Sequence, residues 1–83
     1  MDTFTYRTKG VCSREINISI NEGRLEKVNF ISGCNGNLKG ISSLVEGMTV
    51  QDVITRLKGI DCNGKGTSCP DQLATALQEY LQK

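Results

Sequence analysis

The first third of the chain alternates apolar and polar residues, a pattern that predicts β-strands with one buried face. The alternation covers residues 3–8, 13–20 and 25–32. Between the second and third strands, Asn21-Glu22-Gly23-Arg24 has the residue types of a tight hairpin turn. The alternation breaks between Leu25 and Val28, so we expect a β-bulge there. This part of the chain therefore predicts a three-stranded antiparallel sheet.

From residue 38 onward, apolar residues recur at the spacing of amphipathic helices. They are Leu38, Ile41, Leu44 and Val45 in a first helix, Val50, Val53, Ile54 and Leu57 in a second, and Leu73, Ala74, Leu77, Tyr80 and Leu81 in a third. The expected N-caps are Asn37, Thr49 and either Ser68 or Cys69, and the expected helix ends are Gly47 and Gly59. Pro70 suits the first position of the third helix.

These elements predict an α+β fold of order β-β-β-α-α-α, with the three helices packed on one face of the sheet. A chain of 83 residues is short enough to form one domain, residues 1–83. A domain of this size buries a modest core, so a cross-link, a bound metal or a second copy of the chain would add stability.

The charge balance excludes two classes of partner. The chain has 10 basic and 9 acidic side chains and a net charge of +1. Nucleic acid and anionic membranes both require a basic surface, so we expect neither as the main partner. Apolar runs of two residues, such as Phe30-Ile31, are too short for a membrane-spanning helix. The start, Met1 to Tyr6, lacks the pattern of a secretory signal, so we expect a cytoplasmic protein.

The candidate chemistry of the chain lies in four cysteines, since histidine and tryptophan are absent. Cys12, Cys34, Cys62 and Cys69 are separated by 21, 27 and 6 residues, and each lies near glycine or other turn residues. All four fall at the ends of predicted elements, and Cys34 and Cys69 fall at helix N-termini, where the helix dipole favours thiolate. We expect the four sulfur atoms to meet at one edge of the molecule.

The residues leave three interpretations of such a cluster open. Four thiolates suit a closed tetrahedral zinc site or an iron–sulfur cluster, although the spacing has no C-x2-C pair. A redox-active or disulfide arrangement is the second interpretation, with three possible pairings. Inert packing is the third. In a reducing cytosol, clustered cysteines are more often metal ligands or redox groups than structural disulfides.

The run Thr67-Ser68-Cys69-Pro70-Asp71 resembles the signature of the TSCPD domain family, and residues 33–38 with the helix at 41–47 resemble that family's middle segment. Members occur as small free-standing bacterial proteins and as a C-terminal module of cobalamin-dependent ribonucleotide reductases. The resemblance implies metal binding through Cys12, Cys34, Cys62 and Cys69, and it implies no catalytic residue. It also suggests ribonucleotide reductase or another redox protein as a partner.

The chain is also similar to the NifU-like scaffolds of iron–sulfur assembly, which implies a NifU-like topology. The similarity includes Gly33-Cys34 after a strand and Ser68-Cys69-Pro70 before a helix. Those scaffolds carry an aspartate two residues after their first cysteine, where this chain has Gly36, and this chain has the additional Cys12. A set of four thiolates without that aspartate favours a stable site over a transient one.

We therefore expect a small cytoplasmic binding module that holds one metal ion, zinc, through four thiolates. An iron–sulfur scaffold or carrier and a thiol redox protein are the alternatives. Residues 63–68 are superficially similar to a phosphate-binding loop but lack its G-x-x-x-x-G-K-[ST] frame, so a nucleotide or flavin ligand has no supporting motif. No Ser or Cys has an evident general base beside it, so catalysis is not expected. A homodimer is expected, since small exposed sheets often pair.

Overall fold

The computed structural model describes residues 2–8, 14–31, 35–60 and 67–82. Its strands are β1 (Asp2–Arg7), β2 (Glu15–Asn21) and β3 (Arg24–Ile31), and its helices are α1 (Asn35–Val45), α2 (Val50–Leu57) and α3 (Cys69–Leu81). This order confirms the predicted α+β fold. Within these described ranges, no helix combines the length and the apolar character needed to cross a membrane.

The three strands form one antiparallel sheet with β2 in the centre. β2 and β3 are joined through Glu22 and Gly23, which both have positive φ angles, 53° and 77°. Two such residues match the right-handed twist of the flanking strands, and glycine adopts this conformation without strain. In the register of β2 and β3, Leu25 pairs with Ile20 and Lys27 pairs with Ser19. Glu26 is left without a Cα partner, so the predicted bulge is confirmed.

The two faces of the sheet differ in polarity. The outer face carries cross-strand polar pairs: the Thr5 hydroxyl donates to Asn17 Oδ1 at 2.8 Å, and Arg7 Nε lies 4.0 Å from Glu15 Oε1. The inner face packs on the helices. Its buried core consists of Ile16, Ile18, Ile20, Leu25 and Val28 from the sheet and Val45, Val50, Val53, Ile54, Leu73, Ala76 and Leu77 from the helices. Alternation therefore identified the buried face correctly.

Most of the predicted helix boundaries are confirmed. Gly47 and Gly59 follow α1 and α2 with φ angles of 90° and 87°, the left-handed conformation typical of helix ends. Thr49 is the N-cap of α2, because its hydroxyl accepts the Asp52 N–H at 3.2 Å. The predicted N-cap Asn37 is wrong, since it lies inside α1. Apolar periodicity begins only at Leu38, so it does not reveal the polar first turn of this helix.

The link between α1 and α2 is bonded to the start of β3. The Gly47 N–H donates to the Leu25 carbonyl at 2.7 Å, and the Leu25 N–H donates to the Met48 carbonyl at 2.9 Å. The Val50 N–H then donates to the Gly23 carbonyl at 2.9 Å. As a result, α1 ends and α2 begins beside the β2–β3 turn, which we call the hairpin end (Asn21–Arg24).

The last turn of α3 packs against β1. The Tyr80 ring stacks on Phe4 with centroids 5.4 Å apart, and its hydroxyl donates to Asp2 Oδ2 at 2.5 Å. Asp2 is paired with Ile20 in the sheet, one residue from the turn. Because Tyr80 lies near the C-terminus of α3, these contacts fix the last turn of this helix against β1.

Candidate functional site

Only one of the four predicted metal-binding cysteines falls within the described residues. Cys69 is the first residue of α3 and is 9% exposed. Cys12, Cys34 and Cys62 lie outside the described residues. Among the side chains that the structure describes, no group of three or more His, Cys, Asp or Glu could hold a metal ion. The geometry of this site is therefore described through the residues on either side of each cysteine.

The start of α3 is built by the residues around Cys69. Ser68 is the N-cap, and its hydroxyl accepts the Asp71 N–H at 3.1 Å while its carbonyl accepts the Gln72 N–H at 2.8 Å. Capping satisfies N–H groups that have no partner inside the helix. Pro70 occupies the second position of the helix and not the first, which Cys69 takes. Its missing N–H leaves no bond unmade in a first turn.

Asp71 connects the two sides of the chain segment 61–66. One carboxylate oxygen accepts the Gly59 N–H at 2.7 Å, and the other accepts the Thr67 hydroxyl at 2.6 Å. The Thr67 oxygen in turn accepts a hydrogen bond from Gln72 Nε2 at 3.0 Å. Asp71 is only 8% exposed, so these bonds satisfy a carboxylate that is nearly removed from solvent. We call Gly59, Thr67 and Asp71 the loop clasp.

The electrostatics of Asp71 follow from this geometry. Burial by itself would raise the pKa of the carboxyl, because it disfavours the charged form. The hydrogen bonds from Thr67 and Gly59, together with the positive charge of Lys58, outweigh burial and lower the pKa below its ordinary value. Asp71 is therefore an ionised acceptor at neutral pH, and its bonds from Gly59 and Thr67 are charge-assisted.

At the end of the sheet opposite the hairpin, hydrogen bonds join residues at the ends of the three strands. The Thr8 N–H donates to the Arg14 carbonyl at 3.1 Å, and the Arg14 N–H donates to the Ile31 carbonyl at 2.8 Å. Thr8 and Arg14 at the end of β1 and the start of β2, and Ile31 at the end of β3, are therefore all at this end of the sheet. We call it the opposite end (Thr8, Arg14 and Ile31).

Helix α2 separates the loop clasp from the hairpin end. α2 begins at the hairpin end, and the chain after it reaches Gly59, which bonds to Asp71 in the first turn of α3. The loop clasp therefore lies at the end of α2 away from the hairpin. Tyr6, one residue from the end of β1, interacts with Glu79 in the last turn of α3. Its pKa is raised by burial first, then by the charge of Glu79 and its hydrogen bond, and then by the charge of Asp71.

The loop clasp is the part of the site that sequence reasoning missed. In the sequence, Asp71 and Thr67 stand out only as members of the family signature. One local signal was available, since Ser68 and Asp71 have the spacing of an N-cap and the third helical residue of a capping box. The bond to Gly59 spans 12 residues, and no local pattern reveals it.

A comparison with protein-family models matches residues 3–81 to the TSCPD domain. The chain belongs to the TSCPD domain family. The match covers all six elements, so the resemblance noted from the sequence is confirmed. The pentapeptide that the TSCPD name spells lies across the start of α3, and its Thr, Ser and Asp make the loop clasp and the N-cap around Cys69. Comparisons with curated proteins and with solved structures found no match.

Proposed function

We propose that this TSCPD domain is a small binding module that holds one zinc ion through the thiolates of Cys12, Cys34, Cys62 and Cys69. The observation that carries the proposal is that hydrogen bonds join the described residues flanking these cysteines in two groups. Thr8, Arg14 and Ile31 flank Cys12 and Cys34 and are joined at the opposite end, whereas Gly59, Thr67 and Asp71 flank Cys62 and Cys69 and are joined in the loop clasp. Four thiolates and no histidine form a donor set that suits zinc in closed tetrahedral coordination.

Covalent reach supports the convergence of the four cysteines. Cys12 is two residues from Arg14, Cys34 is bonded to Asn35, and Cys62 is two residues from Ile60. An extended chain spans at most about 3.6 Å per residue, so two residues correspond to about 7 Å at most. Each cysteine is therefore tied by a short stretch of chain to a described residue. The proposed common centre requires such short tethers at the opposite end and on both sides of the loop clasp.

The chemistry of such a site is structural. Four protein ligands complete a tetrahedral zinc site and leave no open position for a substrate or a reactive water molecule. A bound ion would tie the opposite end of the sheet to the start of α3, and its binding free energy would contribute to folding. This contribution matters for a domain with a small core. The role that follows is a metal-stabilised binding module, and its link to ribonucleotide reductase and its homodimer stay predictions from the sequence.

The test is elemental analysis of the purified, tag-free protein, combined with thiol titration. We expect one zinc per chain, a colourless solution and four thiols that react only after a chelator removes the metal. Replacing any one of the cysteines with serine should lower the zinc content. Ser43→Cys is the matched control, because it adds an exposed thiol to α1 and should leave the stoichiometry at one.

Two results would overturn the zinc assignment in favour of the alternatives. Brown protein with visible absorption after anaerobic purification would indicate an iron–sulfur cluster. Metal-free protein in which two thiols reversibly lose two electrons and two protons to form a disulfide would indicate a thiol redox protein.

A further inference from the structure

We infer that Asp71 is a positioning residue for the metal site: with Thr67, it holds the two sides of the connection between α2 and α3 together before a metal ion binds. The inference rests on the proposed function, because it concerns how Cys62 and Cys69 are presented to that ion. Cys62 is three residues after Gly59, and Cys69 is two residues after Thr67. The clasp therefore joins the chain just before one proposed ligand to the chain just before the other.

The bonds of Asp71 suit an orienting role. Its two carboxylate oxygens accept hydrogen bonds from Gly59 and Thr67 at 2.7 and 2.6 Å, both within the protein. Bonds to an ionised carboxylate are stronger than those between neutral groups. Gln72 Nε2 supports the arrangement by donating to the Thr67 oxygen at 3.0 Å. All three bonds of this arrangement join groups of the polypeptide.

The chain contains a natural comparison for Asp71. Asp52 occupies the same position in α2, where its N–H donates to the N-cap hydroxyl of Thr49 at 3.2 Å. Asp71 makes the same backbone bond to Ser68 at 3.1 Å. Both carboxylates lie in a first helical turn and interact favourably with the helix dipole. Asp52 is exposed, whereas Asp71 is buried and bonded to the loop, so only Asp71 combines the helix effect with the clasp.

We expect loss of the clasp to weaken metal binding while the domain still folds. If Gly59 and Thr67 are already joined, binding an ion orders less of the chain, and less conformational entropy is lost. Side chains that orient metal ligands without contacting the metal commonly change affinity by about 10- to 100-fold. We expect an increase of that size in the zinc dissociation constant when the Asp71 carboxylate is removed.

The experiment measures the zinc dissociation constant of the full chain by competition with a chromophoric chelator. Asp71→Ala should weaken binding by about 10- to 100-fold, and Asp71→Asn should recover much of the loss, because its amide oxygen still accepts the Gly59 N–H. Asp52→Ala is the matched control and should leave the dissociation constant unchanged. In the metal-free protein, Asp71→Ala should speed hydrogen exchange of the Gly59 amide, and Asp52→Ala should not.

Thr67 provides a second, milder perturbation if Asp71→Ala does not fold. Thr67→Val removes the hydroxyl and should weaken zinc binding, while Thr67→Ser retains it and should bind as the wild type does. The inference is overturned if wild type binds zinc and both Asp71→Ala and Thr67→Val bind it equally well. If wild type binds no zinc, the proposed function fails, and this inference fails with it.

Discussion

Replacing Ile18 with alanine tests the core that holds the opposite end in place. Ile18 lies on the central strand, is 0% exposed, and pairs with Phe4 on one side and Val28 on the other. The substitution removes three buried side-chain carbons, which contribute about 0.8 kcal/mol each through burial. The neighbouring strands are fixed by hydrogen bonds and cannot collapse into the cavity. We therefore expect a total loss in the middle of the usual range for such changes, about 3–4 kcal/mol.

This loss is large compared with the stability that the metal-free domain can have. At about 0.05–0.15 kcal/mol per residue, a chain of 83 residues has an unfolding free energy of roughly 4–12 kcal/mol. Ile18→Ala would remove a third or more of it across most of that range. Zinc at about 100 times its dissociation constant would restore about 2.7 kcal/mol, because it binds the folded state.

The assay is urea unfolding followed by the helical circular dichroism signal, in chelator and in excess zinc. Leu44→Ala is the control, since Leu44 is 78% exposed and its loss should change stability by less than about 0.5 kcal/mol. The reasoning about the core is refuted if Ile18→Ala lies within about 1 kcal/mol of wild type. The reasoning about the metal is refuted if zinc does not shift the midpoint of either protein.

Three further predictions use the same urea assay on metal-free protein. Ser68→Ala should lower the unfolding free energy by about 1 kcal/mol or more, and by more than Thr49→Ala does, because the Ser68 cap is buried; equal effects would contradict this. Gly47→Ala should destabilise by about 1–3 kcal/mol because φ is 90° there, whereas Gly40→Ala inside α1 should stabilise by about 0.5–1 kcal/mol; the reverse order would refute the assignment of the helix end. The pKa of Tyr6 is raised in the fold, so its contribution is present below about pH 10 and is lost as pH rises through the raised value; wild type should lose more stability there than Tyr6→Phe, and parallel curves would contradict it.

Local sequence patterns were sufficient to predict the sheet and most helix ends. Strict alternation along β2 identified its buried isoleucines because side chains of a strand point to opposite faces in turn. The break after Leu25 located the bulge at Glu26 for the same reason. The start of α1 was the main error, since a polar first turn carries no periodic signal. Asn37 had the residue type of an N-cap but lies within the helix.

For the candidate site too, some features are evident from residue types and others depend on long-range contacts. Residue types alone define the available ligands, which are four thiols and no imidazole. Membership of the TSCPD family was also readable, since Thr67 to Asp71 is a contiguous run. The relation between distant segments emerges from the folded chain, in which the Gly59 N–H bonds to Asp71 and the Arg14 N–H bonds to the Ile31 carbonyl. Those contacts depend on the lengths and directions of whole helices and strands, which one-dimensional spacing does not encode.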